Sequence, residues 1–260
     1  MSSPFFVDAA FVSILLAVAS AVTLAFRRAA RLSRSHGRPS PTRAALTTAC
    51  VLIAVAGVDV VAARSGWTTR WFDSPPRIPV LAVGALLFGG LALHTPPSRA
   101  LLPTLPAIGL VAFQAFRFPL ELVLFALERQ QRLPPQMTFE GRNFDVLVGL
   151  SALPVAWALA RQAIGWRTVI AWNLGSLVLL VNVTFVAVRS APGPLFAFPE
   201  AAPLTLVAGL PYTWLPGMLV PIAYLGHLLS LRWALRERDR SLAAIRASAL
   251  DDVTPRSPAP

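Results

Sequence analysis

Apolar and polar residues in this chain come in long blocks, with no strict alternation and few clean amphipathic stripes. Residues 5–26, 44–63, 78–94, 101–126, 143–160, 168–188 and 204–231 are predominantly apolar, and Arg-, Pro- and Ser-rich stretches separate them. A hydrocarbon core of about 30 Å is crossed by a helix of about 20 apolar residues. The pattern therefore predicts an all-α, polytopic bundle of seven transmembrane helices. The block 78–94 is the shortest, and six or eight passes result if it is re-entrant. Pro211, Pro216 and Pro221 predict a kinked last span. Residues 1–235 read as the transmembrane domain and 236–260 as a cytoplasmic tail, partly disordered towards its Pro/Ser-rich end. Within that tail, Leu242, Ile245 and Ala249 fit either an interfacial helix or a continuation of the seventh span.

Composition sharpens this reading. The chain is 55% apolar and 13% charged, about half the charge of an ordinary soluble domain. All 23 basic residues are arginine. Without lysine there is no Schiff base and no phosphate-loop amine. The net charge of +11 comes from arginines that flank apolar blocks instead of forming one patch, so a bilayer explains it and a nucleic-acid partner is not expected. Fifteen arginines fall in 27–43, 95–100, 161–167 and 232–260. The positive-inside rule then places the N-terminus outside and the C-terminus inside. Arg27 and Arg28 follow the first apolar block where a signal peptide carries its charges ahead, so that block reads as a retained helix. Cys50 is the single cysteine, which excludes an internal disulfide and a cysteine metal cluster.

The candidate chemistry lies in 114–145. Gln114, Arg117 and Glu121 are spaced three and four apart and share one face of the fourth span. Charged groups inside a membrane are costly and mark function by default. Pro119 has no N–H for the carbonyl of Ala115, which leaves a free acceptor on the same turn. Glu140, Asn143 and Asp145 precede or open the fifth span. They read either as a helix cap, with Asn143 at the N-cap, or as acids that fold over the outer mouth and pair with Arg117. Asp8 and Asp59 fall at the same outer depth. A second, inner cluster comprises Asn173, Tyr224 and His227. Two membrane histidines and no nearby carboxylate are too few for a hydrolytic zinc site, and neither a metal nor a cofactor is expected. The Asn182-Val183-Thr184 sequon sits mid-helix and is not read as a glycosylation site.

The segments F-R-F-P-L-E at 116–121, M-T-F-E-G-R-N-F-D at 137–145, W-N at 172–173, and W-L-P followed by His227 resemble an uncharacterised family of bacterial multi-pass integral membrane proteins, over about residues 100–235. The resemblance implies a bacterial inner (cytoplasmic) membrane and no particular activity.

The function these features lead to is binding, extending to transport, of a small polar or amphipathic molecule through an outward-facing polar pocket. Arg117 would hold an anionic group, balanced or gated by Glu121, Glu140 and Asp145. Two alternatives stand beside it: a membrane-embedded enzyme using Glu121 or Glu140 in acid-base chemistry on a lipid or periplasmic substrate, and a non-catalytic subunit of a membrane complex.

Overall fold

Residues 3–34 and 36–253 are described by a computed structural model. Among these residues every regular element is helical. Helix α1 (Pro4–Leu32) and helix α2 (Pro41–Arg64) both start on proline, which loses nothing at a first turn because that N–H has no helical partner. The Ser40 hydroxyl accepts the backbone N–H of Arg43 and caps α2. Helix α3 (Arg77–Leu93) is followed by the short α4 (Pro96–Leu101). Segment 107–129 is one helix with a tight waist: α5 (Ala107–Phe113), a 3₁₀ turn at Gln114–Phe116, and α6 (Arg117–Arg129). Then come α7 (Val146–Ala160) and α8 (Trp166–Ser190), and a π-helical turn (Leu215–Leu219) that leads into α9 (Val220–Val253).

Five of these helical stretches are long and apolar enough to cross a membrane: Pro4–Leu32, Pro41–Arg64, Ala107–Arg129, Trp166–Ser190 and Leu215–Ile245. A sixth forms if Arg77–Leu93 and Pro96–Thr104, bent by 69° to each other, make one crossing. Helix α7 has only 15 residues. The seven apolar blocks thus correspond to five or six full-length spans and one short helix. Pro103 and Pro106 account for one difference: they detach residues 101–104 from the fourth block and leave them with the bent third unit. At the far end α9 runs unbroken past residue 235 to Val253, and residues 254–260 lie outside the described part.

Side-chain ties define two ends. At one, Thr68 donates to the carbonyl of Ala208, Gln136 donates to Ser190, and Arg132 donates to Asp8, which joins the loops 65–76, 130–145 and 191–214 to the start of α1. At the other, Ser33 donates to the carbonyl of Ala100 and Thr104 to that of Ala29. These are called the loop end and the tail end.

The main core is shared by α1, α6, α8 and residues 204–223, with Phe11 against Tyr212 and with Leu127, Leu180 and Leu219 buried. Large apolar side chains such as Leu16, Ile53, Leu91 and Phe185 point outward, the pattern of helices solvated by lipid. Gly149 sets one contact that matters for the site. A Cβ there would overlap the backbone of Phe118, so glycine lets α7 lie directly on the start of α6.

Candidate functional site

That close approach brings Asp145, at the N-terminus of α7, against Arg117. The Arg117 Nε donates to Asp145 Oδ2 at 2.6 Å, and Nη2 pairs with Asp145 Oδ1. The third nitrogen, Nη1, lies 3.0 Å from His227 Nε2 on α9. Because a guanidinium only donates, His227 Nε2 must accept, and the ring proton sits on Nδ1. Nδ1 in turn donates to Asn173 Oδ1 on α8 at 2.9 Å. The amide of Asn173 donates to Ser230 Oγ and to the carbonyl of Val169, at 2.9 and 2.8 Å. The ring of Trp172 packs on His227 with centroids 5.6 Å apart, and its indole N–H donates to Ser151 on α7.

On the other side of Arg117, Asn143 splits its duties. Its amide oxygen accepts the backbone N–H of Asp145 at 3.0 Å. Its amide nitrogen donates to both Glu121 carboxylate oxygens at 2.8 Å and also contacts the carbonyl of Met137. Asn143 therefore acts as a brace two residues before the N-cap, while Asp145 occupies the N-cap position and spends its carboxylate on Arg117.

The result is one continuous hydrogen-bonded chain through four helices and a loop: Ser230, Asn173, His227, Arg117, Asp145, Asn143, Glu121. Arg117 is 1% exposed and Glu121 2%, and Asn143, Asn173 and His227 are fully buried. The two clusters that hydropathy assigned to different depths are joined, with Arg117 bridging them.

The remaining residues singled out in the sequence sit elsewhere. Gln114 donates to the carbonyl of Ala223 at 3.2 Å beside this chain, using the waist in the helix. Glu140 stands at the surface and pairs with Arg129 at 2.7 Å. Tyr224 lies 3.3 Å from Thr184 and makes no bond to His227. Asp8 faces Arg132 and Tyr212 instead of Arg117, and its carboxylate raises the proton affinity of the Arg132 guanidinium through their hydrogen bond. Asp59 is 1% exposed and receives no hydrogen bond among the described residues; its carboxylate lies on Gly217 in the π-helical turn, where a Cβ would overlap it. Sequence reasoning passed over Ser230 and the structural use of Asn182, which donates to the carbonyl of Arg142 at 2.7 Å. A polar residue one turn after His227 was the available signal for Ser230.

A cavity of about 190 Å³ adjoins this chain. Its walls come from α3 (Ile78, Ala82, Val83), α6 (Leu120, Leu124), α8 (Leu180, Val183, Ala187) and the π turn (Leu215, Pro216), together with loop-end residues from Trp71 to Val207. Helices α3 and α8 flank it without packing closely on each other. Most of the lining is apolar; Glu121, Asn143 and Asp145 form one polar corner, and Arg77, which is paired with Asp73, and Thr184 also line the wall. Arg117 is not part of the wall; its nitrogens already have protein partners. Among the described residues no three metal-ligating side chains converge.

No curated protein and no solved structure matches this chain. Residues 76–235, which hold the whole hydrogen-bonded chain from Arg117 to Ser230, match the family described as Domain of unknown function (DUF8737), and the protein belongs to that family.

Proposed function

We propose that the protein is an integral membrane receptor or carrier for an amphipathic molecule, with the apolar part in the cavity and a hydrogen-bond-donating or cationic head at the Glu121–Asn143–Asp145 corner. The observation that carries this reading is the lining itself: an apolar chamber with carboxylates at one place only. Asp145 is neutralised by Arg117. Glu121 has no ion-pair partner among the described residues and receives only the Asn143 amide. Its spare lone pairs suit an ammonium or hydroxyl head, whereas the anionic head expected from Arg117 would meet two carboxylates first. The volume is below the roughly 300–1,000 Å³ of drug-sized sites, which favours a single alkyl chain.

The reading also includes seven passes, with α7 completing the bundle, and the arginine-rich tail end in the cytoplasm of a bacterial inner membrane. The chamber then faces the outer half of the bilayer.

Binding of dodecylamine, dodecanol and dodecanoate to the purified protein in nanodiscs tests the proposal. The amine should bind most tightly and the carboxylate least. Glu121→Gln should remove the preference for amine while keeping alkyl binding, and Val183→Trp should fill the chamber and abolish all three. Equal binding of dodecanoate, or unchanged binding by Val183→Trp, overturns it. Release of a modified product in detergent, lost in Glu121→Gln, would replace the carrier reading with the enzymatic one.

A further inference from the structure

A second cavity, of about 240 Å³, lies at the tail end between residues 102–110 and one face of α9. Its α9 wall is Leu229, Arg232, Trp233, Arg236 and Arg240. The three arginines are four residues apart, so they rise about 6 Å per step along one stripe of the helix. Like charges at this spacing repel and destabilise a helix. Arg232 and Arg236 have no hydrogen-bond or ion-pair partner among the described residues, and Arg240 has only Glu237 at 3.4 Å. The neighbouring Asp239 carboxylate is taken up by Arg238 and supplies no relief.

The facing wall cannot supply a counter-charge either. It comprises Leu102, Pro103, Thr104, Leu105, Pro106, Ala107 and Leu110. The Thr104 hydroxyl donates to the carbonyls of Ala29 and Leu101. The cavity is therefore apolar near Leu110 and Leu229 and strongly cationic one to three turns further along α9, where the helix changes from apolar to charged sequence. Alkyl contact below and cation above is the chemistry of a membrane boundary.

We propose that this pocket binds the phosphate of an anionic phospholipid, gripped by Arg232, Arg236 and Arg240, with an acyl chain against Leu110, Leu229 and Trp233. Guanidinium forks bond phosphate oxygens in pairs, which gives geometric preference as well as charge. The site is separate from the chamber at Glu121 and does not rest on the function assigned there.

The test is native mass spectrometry and thermal unfolding of the full-length protein in a neutral detergent, titrated with phosphatidylglycerol, phosphatidylcholine or inorganic phosphate. Each arginine near a membrane surface contributes roughly a factor of five. The triple variant Arg232→Gln, Arg236→Gln, Arg240→Gln should thus weaken phosphatidylglycerol binding by about 100-fold. Glutamine keeps helix propensity, and the side chains are exposed, so the variant should fold. A control with Arg27→Gln and Arg28→Gln, at the same end, should retain the binding. Equal affinity for phosphatidylglycerol and phosphatidylcholine, retained preference in the triple variant, or equal loss in the control overturns the proposal. Stabilisation by inorganic phosphate alone at matched concentration would assign the site to free phosphate and also overturn the lipid.

Discussion

Arg117 and Asp59 are both buried charged side chains in membrane-length helices, and they are treated in opposite ways. Arg117 has a partner on every nitrogen, and those partners are themselves bonded outward to Ser230 and Glu121. Asp59 receives no hydrogen bond among the described residues and lies against a glycine. Burial alone therefore does not define the site. Satisfied bonding spread over several helices makes a buried charge a fastener. A buried carboxyl without partners is a standing cost that the rest of the fold tolerates.

The largest expected effect comes from removing the hub. Arg117→Ala strands Asp145 and His227 and should cost roughly 3–5 kcal/mol, read as a shift in the denaturing-detergent midpoint of reconstituted protein. Adding Asp145→Asn should return part of that loss, because the two groups are one unit; strict additivity would show that they are not. His227→Ala should cost less, about 1–2 kcal/mol, since membrane interhelical hydrogen bonds are individually modest. Asp59→Leu, close in shape to the carboxylate it replaces, should raise stability by about 1 kcal/mol. A loss of stability would mean that Asp59 has a partner and would erase the contrast with Arg117. Smallest of all, Glu140→Gln should change stability by less than about 0.5 kcal/mol, because its pair with Arg129 is solvent-exposed.

Much of the fold was legible along the chain, since apolar blocks report burial in lipid directly. Five long helices fall within or across the predicted blocks. What failed was a boundary: Pro103 and Pro106 cut the fourth block. The last helix runs on past its apolar part, one of the two readings open for Leu242, Ile245 and Ala249, because charged residues with good helix propensity continue it. At the site, Gln114, Arg117 and Glu121 were visible as costly residues in an apolar run. Asn143 and Asp145 were visible both as cap residues and as partners for Arg117, and Glu140 looked equivalent to them. Nothing in the spacing distinguishes a surface carboxylate from a buried one five residues away.

By itself, then, the sequence determined the class of the protein, its helical blocks and the residues expensive enough to need a reason. Those follow from local composition and the cost of polarity in hydrocarbon. Only the tertiary structure decided that His227 and Asn173 join Arg117, that Arg117 is withdrawn from the chamber wall, and that Asp59 stays unpaired. Each of these depends on which helix faces meet. That meeting is set by close approaches such as Gly149 on Phe118, which pair residues far apart in the chain.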